Sequence, residues 1–548
     1  MEKFKIKFML NGPLGDTMGP PSNDLPAATV NLSYFMLKKY YEIYGKFNNN
    51  IEWLMADLFV FDDFKTICKD LKQENPNILA LSVFIWNETF QFKLAKWCRI
   101  NLPDTVIVMG GPQLVAHKDT NWFSTRQYID YVVYGDGEKP FQQLIDYCLG
   151  NDNKANWVNI VENLHDAGSI KYPFEQMRDE YYFSQTAIVD QGDFVKEHID
   201  YLVDRGVSKA HMSIGIEFAR GCMYKCSFCD WSQNLTKKVT RREYDWKSEL
   251  LYWKDLDVPT RETDANFGQW DEDREIYDWA LERYDPNKNF KFICWNHAKT
   301  KVKHTPHFML NNAIHFGARV KFQLQDVSAD VLQKMDRPSL TWDQYKQMII
   351  DLGSQPEVDP LTMSAAFMVG SAGQTYDTLS NSIVEVWNAG IYNLQLNWWM
   401  LLPNSPGAEP AYMDKYNIKS GKIYYVYRHP EIKGHSLSEL YEAIDTDYWP
   451  IRKAFLESSN AVYQTDTMSM TDINAVHVLY ELIKDFKVKN PEYYKIKDFT
   501  STINKLKSDA YQIAEYQDSI RKPFENDYDF VVVGRYDKDE QKLTKWYN

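Results

Sequence analysis

The sequence lacks any uninterrupted apolar run approaching the roughly 20 residues that span a bilayer, so no transmembrane helix is expected. No secretory leader is expected either: MEKFKIKFML runs straight into polar NGPLGD, with no small-residue cleavage pattern. Basic residues are in deficit, 62 Lys plus Arg against 76 Asp plus Glu for a net charge of -14. That balance argues against a broad electrostatic grip on nucleic acid or an anionic membrane. Cysteine is scarce, with seven among 548 residues, too few for a disulfide scaffold and odd in number, as in a reducing compartment. No internal repeat is visible, and no Gly-x-Gly-x-x-Gly follows the first strand, so a nicotinamide dinucleotide site is not supported. A soluble, cytoplasmic protein is the expectation. What remains is ordinary globular composition, 44% hydrophobic and 25% charged. The length allows three or four domains, or fewer if one is a barrel.

Short Val/Ile/Leu runs alternate with helical patterns through the first 150 residues: FKIKFML, IEWLMADLF, ILALSVF, TVIVMGG and YIDYVVYG. Between them Phe90, Leu94, Trp97 and Cys98 fall on one helical face. The alternation predicts a doubly wound, flavodoxin-like parallel sheet covered on both faces. Ligands on such sheets lie beyond the carboxyl ends of the strands. The residues found there are Gly12, Ser82, Gly110, Gly111, Gly135, Gly137 and Glu138, which either cradle a ligand or merely make tight turns. Residues 151–205 read as a connecting segment.

A second alternation over residues 206–410 has strand candidates SIGIEFA, KFICWN, VKFQLQ, LTMSAAFMV and YNLQLNWWML, with one more before DANF. It predicts a full or partial β/α barrel of the TIM type. Residues 411–548 read as mainly helical, with Thr471 as a helix cap and YDFVVVGRYD as a final edge strand. Those four spans are the expected domains.

Three of the seven cysteines, Cys222, Cys226 and Cys229, fall within eight residues on a loop after a strand. Thiolates so spaced can converge on an iron–sulfur cluster, usually held by four, and the fourth is missing nearby. One iron would then be open to an outside ligand. A structural zinc site prefers four ligands, typically two well-separated pairs, and no second Cys or His pair appears. A redox dithiol at Cys226 and Cys229 leaves Cys222 idle. Three buried structural cysteines is the remaining alternative.

The run CMYKCSFC resembles the C-x-x-x-C-x-aromatic-C signature of the radical S-adenosylmethionine enzymes. The resemblance extends to ETDANFG (262–268), VKFQLQDVSADVLQKMDR (320–337), FMVGSAGQTYDTL (367–379) and LLPNSPGAEPAY (401–412). VMGGPQLVAH with YVVYGDGEKPFQQLI is similar to the cobalamin-binding domain that precedes the barrel in one branch of that family. The resemblance implies that Cys222, Cys226 and Cys229 hold a 4Fe-4S cluster whose open iron chelates S-adenosylmethionine. It places Phe228 near the adenine, and Asp264, Asn266 and Gln325 against the cofactor. It also implies cobalamin over the first sheet's edge, and an electron donor such as flavodoxin or ferredoxin. NGPLGDTMG carries no histidine where cobalamin domains with a histidine ligand have Asp-x-His-x-x-Gly, so cobalamin is expected without one; Asn163 to Gly168, with His165, reads as a surface turn. The implied reaction is methylation of an unactivated carbon on a small molecule. The alternatives are a radical rearrangement or cyclisation with the same cofactors, and a cobalamin- or cluster-binding sensor.

No catalytic side chain is assigned; His297, after the third barrel strand, is a candidate for proton handling, with a hydrogen-bonded structural histidine as the alternative. His304, His307 and His315 read as ordinary. Trp398 and Trp399 read as core, and Lys237, Lys238, Arg241 and Arg242 as a solvated helix start.

Overall fold

A computed structural model describes residues 3–117 apart from 10–27, 31, 57–63 and 85–86, and residues 126–150 apart from 134–136. It further describes 189–229, 239–294 apart from 243, 304–402 apart from 318–319, and 405–425. The last described stretches are 460–521 apart from 497, and 530–543 apart from 534–535 and 538–541. The chain divides into two compact units, residues 1–223 with 231–297, and residues 224–230 with 298–548.

The first unit opens with β1 (Phe4–Met9), β2 (Ala28–Val30), α1 (Leu32–Tyr44), β3 (Ile51–Trp53), α2 (Phe64–Glu74) and β4 (Ile78–Ser82). It continues with α3 (Glu88–Asn101), β5 (Val106–Gly110), β6 (Tyr131–Val132) and α4 (Glu138–Gly150). Strands β3-β1-β4-β5-β6 form one sheet in that order, and every pairing is parallel. With β2 set aside this is the doubly wound order that the alternation predicts. All five residues of β4 are buried, as befits a central parallel strand covered on both faces. The predicted face of α3 holds: Phe90, Leu94 and Cys98 are buried in the core with Leu79, Leu81 and Ile107.

Next come α5 (Gly192–Asp204), β7 (Met212–Ile216), β8 (Ala219–Arg220), β9 (Thr240–Arg241), α6 (Trp246–Leu256), β10 (Thr260–Glu262), α7 (Asp271–Leu281) and β11 (Phe292–Ile293). Strands β11-β10-β7-β2 make a second parallel sheet. The strand β2, from the first 30 residues, thus edges a sheet that is otherwise built after residue 211. Nothing in its three residues, Ala-Thr-Val, signals so distant a partner.

Helix α5 is fastened through His198, which is wholly buried among the rings of Tyr34, Phe35 and Phe194. Its Nε2 accepts from the Ala56 amide at 3.0 Å, and Nδ1 lies 3.0 Å from the Phe194 carbonyl, so both ring nitrogens are used by the neutral form. Burial pushes the imidazole down from 6.5 to about 4. A folded value below the unfolded one means that this contribution is complete above the unfolded value and is lost as pH falls toward the folded one. Between pH 7 and 5 the protein is expected to lose about 2 kcal/mol that His198→Gln does not lose. Urea denaturation of both proteins at the two pH values measures it; equal losses would contradict the account.

The second unit contains α8 (Thr305–Phe316), β12 (Val320–Gln325), α9 (Ala329–Lys334), α10 (Trp342–Gly353), β13 (Met363–Val369), α11 (Tyr376–Asn388) and β14 (Asn393–Trp398). Strands β12-β13-β14 are parallel. The six strands expected of a barrel therefore appear as two parallel sheets, one in each unit. After β15 (Met400–Leu401) and α12 (Pro410–Lys415) come β16 (Lys419–Tyr425), β17 (Asn460–Gln464), α13 (Met470–Lys489), α14 (Thr500–Arg521) and β18 (Phe530–Val533). The long helices α13 and α14 pack on each other, and β18 edges the sheet β15-β17-β16-β18, as its sequence predicts. The cap of α13 is Ser469, not Thr471: its hydroxyl accepts from the Asp472 amide, and the Asp472 carboxylate accepts from the Ser469 amide at 2.8 Å. This reciprocal box satisfies two orphan donors, whereas a cap at Thr471 satisfies at most one.

Candidate functional site

The register Glu262↔Ile216, extended by Thr263 N–H donating to the Ile216 carbonyl at 2.9 Å, sets two loops side by side at the carboxyl ends of β7 and β10. One loop carries Glu217 to Cys222 and the other Asp264 to Trp270. Asp264 is 2% exposed and its Oδ1 accepts from the Phe218 amide at 2.8 Å. Burial raises its carboxyl well above the usual range and outweighs the Ala219 and Phe218 amides that pull it down. Asn266 donates from Nδ2 to the Cys222 Sγ at 3.1 Å. The outer oxygens, Asp264 Oδ2 and Asn266 Oδ1, are buried without a partner. Both residues line a cleft of about 250 Å³, counting its open mouth, with Ala219, Gly221, Met223 and Trp270. Buried unpaired acceptors are costly unless something donates to them. The second loop is pinned by Asp273, which accepts from the Gly268 and Trp270 amides and pairs with Arg241 at 2.6 Å.

Within the second unit, Cys226 and Cys229 close a tight turn, the Cys229 amide donating to the Cys226 carbonyl at 3.0 Å. Between them Ser227 is held on both sides: its amide donates to the Met335 carbonyl at 2.8 Å, and its carbonyl accepts from the Gly407 amide at 2.7 Å. Phe228 is half-buried, with the Arg337 guanidinium 5.8 Å from its ring centroid. Arg337 is itself buried, donating to the Gln323 carbonyl. Gln325 ends β12 where the register shifts, at φ 65°, with its Oε1 buried and unpartnered. A left-handed glutamine is strained, and such strain gathers at functional sites. The next residue, Asp326, accepts from Gln374 Nε2 at 2.6 Å, while Gln374 Oε1 takes the Gly370 and Ser371 amides at 3.1 Å each. That clasp shapes the loop after β13.

All three cysteines of the run are free, Cys222 and Cys226 buried and Cys229 half-exposed. Among the described residues no three His, Cys, Asp or Glu side chains already stand as a metal shell. The donor set still fits a three-thiolate cluster: three unbridged thiols lie within eight residues, and one already receives the kind of hydrogen bond that tunes cluster sulfurs. Metal binding and the final convergence of its ligands are coupled events.

At the edge of the first sheet the predicted residues divide. The Ser82 carbonyl is occupied by Asn87 Nδ2 and Gln91 Nε2 at 2.9 and 3.2 Å. Gly111 is glycine for internal reasons: φ is 112°, and a Cβ there would sit 2.4 Å from the Val83 carbonyl oxygen. Gly110 and Gly137 differ, since an added Cβ would meet nothing closer than 3.8 and 3.5 Å, and neither needs a positive φ. Their bare backbone suits close approach by a large planar ligand, so the edge fits cobalamin. Glu138, at the start of α4, is buried and pairs with Arg220 at 3.3 Å. Gly12, Gly135, His165, His297, Lys237 and Lys238 lie outside the described residues. Trp398 and Trp399 are core, the first donating to the Val462 carbonyl at 3.0 Å and stacking on His477 at 3.6 Å.

Sequence reasoning passed over Arg220, Ser227 and Gln374. Arg220 stands two residues before the first cysteine of the run and was open to notice; Ser227 acts through its own backbone groups, and the side-chain amide of Gln374 acts on Asp326 and on two backbone amides, which no spacing pattern advertises.

No family model matches the chain. It is 24% identical over 402 residues to the cobalamin-dependent radical SAM methyltransferase TokK of Streptomyces tokunonensis, covering 70% of this chain and 55% of that protein. It is 23% identical over 360 residues to the 2-(S-pantetheinyl)-carbapenam-3-carboxylate methyltransferase of Streptantibioticus cattleyicolor, covering 63% and 50%. The chain thus spans about half the length of the curated relatives it matches. Among solved structures it shares the fold of TsrM from Kitasatospora setae, a radical S-adenosylmethionine methyltransferase (TM-score 0.52, 16% identity, 73% of this chain and 74% of that one). It also shares the fold of the cobalamin-dependent S-adenosylmethionine radical enzyme OxsB (TM-score 0.53, 12% identity, 94% and 72%). No helix among the described residues is long and apolar enough to cross a membrane.

Proposed function

We propose that this chain, a relative of the cobalamin-dependent radical S-adenosylmethionine methyltransferases, methylates an unactivated carbon of a small molecule, in the cytoplasm and with an electron donor such as flavodoxin or ferredoxin. The observation that carries the reading is the cleft beside Cys222, where two buried oxygens, Asp264 Oδ2 and Asn266 Oδ1, await donors. When bound, the cluster supplies the electron that cleaves S-adenosylmethionine, and cobalamin supplies the methyl carrier.

The chain's own part is to bind and orient. Cys222, Cys226 and Cys229 hold the iron. Asp264 and Asn266 receive the ammonium of the methionine moiety, and an arriving cation draws the Asp264 carboxyl back toward its charged form. By their motifs Phe228, with Arg337 beside its ring, is assigned to the adenine, and Gln325, whose Oε1 is buried without a partner, to the same cofactor. Gly110 and Gly137 receive cobalamin, without a histidine ligand. The domain assignment belongs to the same proposal: residues 1–150 for cobalamin, 151–205 connecting, 206–410 for the barrel and 411–548 as a mainly helical C-terminal domain.

The test is anaerobic reconstitution in the presence of cobalamin, followed by turnover with a reductant. Expected are bound cobalamin, 5′-deoxyadenosine from S-adenosylmethionine, and a product one methylene heavier than its substrate. Deoxyadenosine with no gain in mass points to rearrangement, and none at all points to a sensor. Asn266→Leu is expected to weaken S-adenosylmethionine binding about tenfold or more, through one lost charged hydrogen bond. Unchanged affinity would remove Asn266 from the site.

A further inference from the structure

Arg220 stands at a junction that neither the cysteine loop nor the sheet edge explains alone. Its guanidinium grips Glu217 bidentately, Nε to Oε1 and Nη2 to Oε2, both at 2.8 Å. Both terminal nitrogens also reach Glu138 Oε1, at 3.3 and 3.4 Å. Burial pushes the Glu217 carboxyl up, but Arg220 and Arg242 outweigh it and hold the group below its usual range. Among the described residues Arg220 therefore divides its fork between half-buried Glu217, three residues away and tightly held, and buried Glu138, 82 residues away and at longer distance. Glu138 opens α4 directly after Gly137, whose backbone is bare at the ligand edge of the first sheet. On the other side, only Gly221 separates Arg220 from Cys222, and the backbone of Arg220 is pinned to Thr240 in the β8–β9 ribbon. Arg220 thus stands in contact with Glu138 at the sheet edge while lying two residues from Cys222.

We propose that Arg220 is a positioning residue that couples the ligand edge of the first sheet to the Cys222 loop, so that filling either site changes affinity at the other. This rests on the proposed reading that cobalamin occupies that edge and a cluster the loop. A planar fork can serve two carboxylates together, which a lysine ammonium cannot do with the same geometry. Coupling between sites is reciprocal and is read as a ratio of affinities.

The experiment titrates the full chain with hydroxocobalamin, before and after anaerobic cluster reconstitution, following protein fluorescence, and repeats this with Arg220→Lys. In the wild type the two dissociation constants are expected to differ about fivefold or more. In Arg220→Lys the ratio is expected to fall to about one, with iron content retained. A merely structural role would change both constants together and leave their ratio alone. A wild-type ratio near one, or a ratio that survives in Arg220→Lys, overturns the coupling while the proposed function stands. Failure of the wild type to bind cobalamin at all overturns both.

Discussion

Replacing Cys226 by alanine is expected to give a folded protein that holds no cluster. Cys226 is 2% exposed, and its described backbone role, accepting from the Cys229 amide, survives the substitution because the carbonyl stays. Removing one buried sulfur leaves a small cavity, at a cost of about 1 kcal/mol. Iron is a different matter. Three thiolates already fall one short of the usual four, and two cannot retain a cubane against chelating competitors. After anaerobic reconstitution the wild type should bind about four irons per chain with broad visible absorbance, and Cys226→Ala close to none. Thermal melting separates this from unfolding: a melt near that of wild type with no iron supports the assignment. Iron and deoxyadenosine formation that persist in the variant would end it.

Gly407→Val is expected to damage the same loop from the opposite side. A Cβ on Gly407 would lie 2.6 Å from the Ser227 carbonyl oxygen and 2.6 Å from Trp399 Cζ2. Neither neighbour can give way. Trp399 is fully buried, and the Ser227 oxygen is the acceptor of the Gly407 amide itself, in a segment also tied to Met335. Relief requires parting residues 405–408 from the turn between Cys226 and Cys229. Overpacking of this kind costs about 1–3 kcal/mol, and the displaced turn adds loss of iron to loss of stability. Gly150→Ala is the control, since nothing lies within 4 Å of its added Cβ. Chemical denaturation together with iron content measures both effects. If Gly407→Val kept wild-type stability and iron, the clasp on Ser227 would have no part in shaping the turn.

Much of the fold was legible because periodicity is local. Buried parallel strands announce themselves as short apolar runs between helices, and the order β3-β1-β4-β5-β6 is one of the two common forms of the doubly wound sheet so expected. The edge strand β18 was visible for the same reason. The pairing of β2 with β7 was not, because three residues of Ala-Thr-Val carry no record of a partner 182 or more positions away. Ser469 was missed as the cap of α13 because Ser-x-x-Asp and Thr-x-x-Asn both occur at that start, and only the dihedral angles decide between them.

The site shows the same division. The sequence by itself determined the three thiols, since CMYKCSFC fixes donor type and spacing within one short loop, and it singled out Asp264, Asn266, Phe228 and Gln325 by their motifs. Tertiary structure alone decided how each is used. Whether a carboxyl is pushed up or held down depends on burial and on which cations lie beside it, and Asp264 and Glu217, 47 residues apart, are moved in opposite directions. Which glycine serves packing and which lies open depends on what its absent Cβ would meet, so Gly111 and Gly110, adjacent in the chain, part company. Glu138 stood among the candidates at the sheet edge and Arg220 beside the cysteine run, 82 positions apart; only folding brings them within 3.3 Å. Chain position records chemistry and local geometry, whereas solvation and charge proximity belong to the packed molecule.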